Sequence, residues 1–183
     1  DLGAEKFFNI KCRKAGFSPA LSVLVITTQS VKLHGEVPAS KIKEPDPAAL
    51  QLGMRNVEKH IGILRSFGQK VLVVLNRFDF DSDEEIAAIR NWCTSHAVEF
   101  AVSNAYNEGG SGSMEAAEKI VAMTQEPPAP IQFTYDQDDT VKEKIRKIVT
   151  RIYGGAGIHL EKKARQHLKR IKTLGFGHFP VCV

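Results

Sequence analysis

The sequence predicts an α/β protein with three layers, a mostly parallel sheet between flanking helices, and a helical C-terminal portion. Three observations predict it. Val71 to Leu75 is an unbroken, valine-rich apolar run too short for a helix, the pattern of a strand buried on both faces. Two similar runs flank it in the chain, Leu21 to Thr27 and Val98 to Val102. Segments with helical periodicity fill the gaps, so strand and helix alternate through residues 1–125. The expected division is 1–126 for the α/β portion and 127–183 for a smaller, mainly helical portion.

In chain order, Ala4 to Lys14 reads as a helix carrying Phe7, Phe8 and Ile10, ended by Gly16 and Pro19. Leu21 to Thr27 reads as the first buried strand. It feeds Thr28 to Gly35, and the stretch from Gly35 to Pro47, rich in Pro and mixed charge, is expected as a surface loop. From Pro47 to Phe67 apolar residues fall at Leu50, Met54, Val57, Ile61 and Leu64, a helical spacing. Pro47 at the start and Gly68 past the end suit helix stereochemistry. With the strand that follows, this makes a right-handed βαβ unit. Ser82 and Glu85 form a capping-box pattern for a helix to about His96. Ser113 is the expected cap of a helix through Met123. Beyond Pro127-Pro-Ala-Pro130, the expectations are a short strand over Ile131 to Tyr135, a helix capped by a Thr140–Glu143 box and stopped by Gly154-Gly155, and a last helix from Leu160 to Leu174.

Composition sets outer limits. The chain has 183 residues, 43% hydrophobic and 25% charged, with net charge +4 and pI about 9.0. This is an ordinary globular balance with length enough for a core. The mild positive excess suits anionic small ligands, and the basic residues lack the aromatic interleaving of a nucleic-acid surface. No apolar run reaches transmembrane length and no signal peptide is visible, so neither membrane nor nucleic acid is an expected partner. Cys12, Cys93 and Cys182 have no metal-ligand or disulfide spacing, which suits a reduced, cytoplasmic protein. The chain opens without Met, and Pro180-Val-Cys-Val183 reads as the start of a strand. Both ends read as cut, and a longer enzyme is expected.

In parallel α/β sheets, ligands bind beyond the carboxyl ends of the strands. The candidates are therefore the residues at those ends. Asn76 and Asp79, three apart, could read a purine edge, as in the N-K-x-D motif of guanine-nucleotide proteins, or could simply form a turn. Phe78 and Tyr106 offer faces for a planar ligand, or close the core under the loops. Glu108, Gly109 and Gly110 open a glycine-rich loop that could cradle an anion, or act as a turn. Lys32 and His34, after the first strand, could hold phosphate or carboxylate, or lie on a surface loop. The basic run Lys162 to Lys172 reads as a solvated face. No G-x-x-x-x-G-K-[ST] occurs, and no catalytic triad or paired carboxylates stand out, so the catalytic residues stay unassigned and no metal ligand is expected.

The thirteen residues Asp-Leu-Gly-Ala-Glu-Lys-Phe-Phe-Asn-Ile-Lys-Cys-Arg (1–13) resemble a signature of formate–tetrahydrofolate ligases. Further blocks resemble the family in order: Val31 to Gly35, Val74 to Phe78, Asp81 to Glu85, Glu108 to Gly110, Lys144 to Ile148 with Ile152 to Gly154, and Leu174 to Gly177 with Phe179 to Cys182. The resemblance implies a P-loop-NTPase-like fold without the P-loop itself. It also implies an ATP-dependent ligase of one-carbon metabolism that joins formate to tetrahydrofolate through formyl phosphate, giving 10-formyltetrahydrofolate, ADP and phosphate. Mg²⁺ with the ATP, a monovalent cation such as potassium, and a homotetramer come with it.

The family's two stacking aromatics map onto Phe78 and onto Tyr106, the latter in place of a Trp. Its K-x-H-G-G loop maps onto Lys32 to Glu36, with Glu36 for the second Gly, and Gln29 stands where many members have Arg. The family's P-loop precedes the opening signature, so these residues alone are expected to be inactive. Two other classes remain open, a GTPase-like nucleotide-binding piece and a non-catalytic binding or assembly domain. The last expects both rings packed into the core.

Overall fold

The computed structural model describes residues 3–183; Asp1 and Leu2, the first two residues of the opening motif, lie outside the described residues. The chain divides into two compact units, one of residues 19–65 with 69–129, the other of residues 1–18, 66–68 and 130–183. The first 18 residues thus belong with the C-terminal portion.

The first unit is the expected α/β layer. It contains β1 (Ser22–Ile26), α2 (Thr28–His34), α3 (Pro47–Ser66), β2 (Val71–Asn76), α4 (Asp83–Ser95), β3 (Glu99–Ser103), α5 (Ala105–Glu108) and α6 (Met114–Met123). The sheet is parallel throughout, in the order β1-β2-β3, with Val25 beside Val74 and Val74 beside Ala101. The central strand is buried from Val71 to Leu75, as its apolar run dictates. Leu72, Val74 and Ala101 pack with Ala116 of α6, and Ile120 and Met123 close that side.

The first strand departs from expectation. β1 lies at the sheet's edge, and Val23 and Val25 are exposed, Val25 at 61%. Its apolar sequence is that of an interior strand, but among the described residues no element covers this face. The segment just after β1, to which the sequence assigns no element, forms α2. Thr27 caps α2 by accepting from the Ser30 backbone N–H, while the Ser30 hydroxyl meets the Thr27 N–H. This capping box lacks the usual Glu, so the helix has no familiar start signal in the sequence. Two glycines seat α2 on α3. A Cβ on Gly35 would stand 1.9 Å from the Ala49 carbonyl oxygen, and one on Gly53 1.8 Å from that of Val31.

Both expected capping boxes are half formed. Ser82 accepts from the Glu85 N–H, but the Glu85 carboxylate turns to Lys32 instead. Thr140 accepts from the Glu143 N–H, but Glu143 pairs with Arg146. Ser113 makes no side-chain cap either; its hydroxyl meets that of Ser103 at 2.8 Å.

In the second unit, α1 (residues 3–15) widens into a π-helical stretch over Phe7–Cys12 and ends at Gly16, whose φ is 71°. Phe8 stacks on Phe67 at 4.7 Å. The strand expected over residues 131–135 does not form. The Asn9 amide holds this stretch instead, accepting from the Thr134 N–H and donating to the Thr134 hydroxyl. α7 (residues 141–153) and α8 (Lys162–Thr173) follow, and Pro180 to Val183 is irregular rather than a strand. Leu168 and Ile171 of α8 are only half-buried. Cys12, Cys93 and Cys182 are free thiols.

Glu5 of α1 is fully buried. One carboxylate oxygen accepts from Asn9 and the other has no hydrogen-bond partner among the described residues. Burial raises its pKa above the ordinary 4.5, outweighing the Asn9 hydrogen bond. A raised folded-state pKa favours folding while the group is protonated, and that contribution is lost as pH rises through the raised value. Thermal midpoints should therefore fall from pH 4.5 to pH 7 more in the native chain than in Glu5→Gln. Equal slopes in the two would show that Glu5 is not the group responsible.

Candidate functional site

Parallel pairing brings the carboxyl ends of β2 and β3 side by side, with Asn76 opposite Ser103. The chain leaves β2 through Arg77, whose N–H donates to the Ser103 carbonyl at 2.9 Å. Phe78 follows, half-buried, with its ring parallel to that of Phe80 at 5.5 Å. The chain leaves β3 through Asn104 into α5, whose second residue is Tyr106, 86% exposed. The turns meet where the Asn107 amide donates to Asp79 at 2.6 Å and to Asn104 at 3.1 Å. Phe78, Asn76 and Tyr106 thus rise from adjoining strand ends.

Glu108, Gly109 and Gly110 complete the β3 side. Glu108 accepts from the Asn104 amide at 2.6 Å, which turns its charge back onto the loop. Gly109 has φ 60°, a backbone that other residues avoid. The Asn104 N–H then donates to the Gly112 carbonyl at 2.8 Å, closing residues 104–112 into a tight loop.

The candidates on the β1 side part company. His34 ends α2 and is exposed. Lys32 is only 1% exposed. Its ammonium lies 3.2 Å from Glu85, itself 1% exposed, and donates to the Glu44 carbonyl at 2.9 Å. The other Glu85 contact is the Asp46 N–H at 3.0 Å, so this ion pair pins the 35–46 loop. Sequence reasoning assigned Glu85 to a cap and missed this pair, because helix-start patterns do not reveal a partner 53 residues away.

Glu36 follows Gly35 with φ 70°, a left-handed backbone that suits glycine. Restoring glycine with Glu36→Gly should stabilise the chain by about 0.5–1 kcal/mol, a rise of roughly 1–4 °C in Tm. A lower Tm would show that the Glu36 side chain contributes more than its backbone costs.

Asp81 is a residue that sequence inspection left without a role. It is buried at 5% exposure at the end of the Phe78 turn. One carboxylate oxygen accepts from the Phe78 N–H at 2.9 Å and the other from the Thr28 hydroxyl. Among the described residues no cluster of His, Cys, Asp or Glu could hold a metal ion, and no helix is long and apolar enough to cross a membrane. A cavity of about 480 Å³ lies in the other unit among Asp138, Thr140, Leu168 and Lys172, and includes none of the candidates.

A model of the formate–tetrahydrofolate ligase family matches residues 1–183. Over its whole length the chain is 48% identical to the formate–tetrahydrofolate ligase of Parabacteroides distasonis and 45% identical to those of Bacteroides fragilis and Porphyromonas gingivalis. It spans 33% of the length of each of these relatives. With the opening signature, the strand-end blocks and the full-length match in agreement, the chain belongs to the formate–tetrahydrofolate ligase family.

Proposed function

We propose that these 183 residues form the folate- and nucleotide-stacking part of a ligase that uses ATP to phosphorylate formate and passes the formyl group to tetrahydrofolate. The observation that carries this is the exposed Tyr106 ring on the strand end next to Phe78, with the two turns tied by Asp79 and Asn107. A domain with a purely structural role would have both rings in its core, and an 86% exposed Tyr106 argues against that. Phe78 and Tyr106 supply apolar faces for planar rings, and Asn76 a neutral donor and acceptor. Glu108, Gly109 and Gly110 shape the β3 rim, His34 offers a polar group on the β1 side, and Lys32 acts from beneath through the loop it holds. Reading Asn76 and Asp79 as a guanine clamp fits less well, since Asp79 is already engaged by Asn107.

The phosphoryl chemistry belongs elsewhere in the ligase. Transfer of a phosphoryl group needs a phosphate cradle and Mg²⁺ to hold the developing charge. The 183 residues contain no P-loop, and no cluster of three or more His, Cys, Asp or Glu stands among the described residues. No step through the metal or the monovalent cation is therefore assigned to them. A cytoplasmic homotetramer is the assembly we propose for the intact ligase. Incubated with ATP, Mg²⁺, K⁺, formate and tetrahydrofolate, the 183-residue chain should yield no 10-formyltetrahydrofolate, whereas the intact ligase should. Product from the chain alone would overturn this division of labour.

A further inference from the structure

Phe78 has an unusual foundation. Its N–H donates to the Asp81 carboxylate, and its carbonyl accepts from the Asp81 N–H at 3.0 Å. The residue before it is held to β3 through the Ser103 carbonyl. The backbone that carries the ring is thus fixed by one buried side chain. Among the described residues that carboxylate has no salt-bridge partner; its other contact is the hydroxyl of Thr28, which is itself fully buried. A buried carboxylate without a counter-ion is costly, and a plain turn could use Asn or Ser in water.

The Thr28 contact has a companion. Thr28 and Lys32 lie four residues apart on one face of α2, and Asp81 and Glu85 are spaced the same way. The two contacts, Thr28 to Asp81 and Lys32 to Glu85, form two buried polar rungs between α2 and residues 81–85. The upper rung carries the Phe78 turn, and the lower carries the 35–46 loop through Asp46.

We propose that Thr28 and Asp81 are positioning residues for the Phe78 ring. They couple the end of β1 to the stacking wall at the end of β2, and so set how tightly the ligase holds tetrahydrofolate. This rests on the reading of Phe78 as a folate-stacking residue. Thr28 does not touch the ligand; its hydroxyl orients the carboxylate that orients the ring. Losing that hydrogen bond lets the turn relax, and a small displacement of a stacked ring weakens every contact it makes.

The test uses the intact ligase with Thr28→Val, Thr28→Ser, Asp81→Asn and Phe78→Ala, and separate KM values for tetrahydrofolate, ATP and formate. Thr28→Val and Asp81→Asn should each raise KM for tetrahydrofolate about tenfold and leave that for formate, which has no ring to stack, within about twofold. Thr28→Ser, which keeps the hydroxyl, should stay near the native value. An unchanged tetrahydrofolate KM in Thr28→Val, or an equal rise for all three substrates, would overturn the proposal. Thr28→Val preserves the side-chain shape and decides the matter if Asp81→Asn does not fold. Phe78→Ala separates the two levels. If it raises KM and Thr28→Val does not, the positioning role fails alone; if it has no effect, the stacking reading fails and takes the positioning role with it.

Discussion

Glu85→Ala should cost about 3–5 kcal/mol of folding stability, because it leaves the Lys32 ammonium buried without its partner. The pair is dry on both sides, and solvent cannot take over the lost contact. The same change removes the acceptor for the Asp46 N–H, so the 35–46 loop loses its anchor as well. Lys32→Met should be nearly as damaging, since it strands the carboxylate. The double variant Lys32→Met/Glu85→Leu should recover most of the loss, because an apolar pair of similar volume avoids the desolvation cost. Urea unfolding of the four proteins checks this. A loss below about 1 kcal/mol for Glu85→Ala would mean the pair behaves as a hydrated surface bridge.

Phe78→Ala should weaken tetrahydrofolate binding by the intact ligase. Stacking a planar heterocycle on an aromatic side chain is worth about 1–3 kcal/mol. The corresponding rise in KM for the intact ligase is roughly fivefold to 150-fold, with little change in thermal stability, since the ring is only half-buried. Tyr106→Trp should act in the opposite sense. Tyr106 is exposed, so a larger ring meets no steric limit there and adds stacking area. A Phe78→Ala ligase with native KM, or a Tyr106→Trp ligase with weaker binding, would remove these rings from the site.

The sheet was legible in sequence because a strand buried on both faces leaves an unbroken apolar signature. Val71 to Leu75 is such a run, and the strand stops at Asn76, where the candidate site begins. Three kinds of feature were not legible. Edge position is decided by what lies beside a strand, so the apolar β1 gave no sign of its exposed Val23 and Val25. Helix α2 was hidden because its cap uses Ser30 where the familiar pattern has Glu. The partners of Glu85, Asp81 and Asn9 come from distant parts of the chain, and local patterns can name the residue but not what it will hold. The candidate site divides the same way. Phe78 and Tyr106 follow from their strand ends and the family blocks, whereas Lys32 looks ligand-facing until its burial is seen.

The open flank of β1 bears on how this chain behaves in a test tube. Val23 and Val25 face water from an edge strand with no neighbour beyond it among the described residues, where unpaired N–H and C=O groups invite another strand. Such an edge makes self-association rise with protein concentration. Val25→Lys, which puts a charge at the most exposed apolar position of β1, is the simplest way to keep the chain monodisperse for ligand titrations.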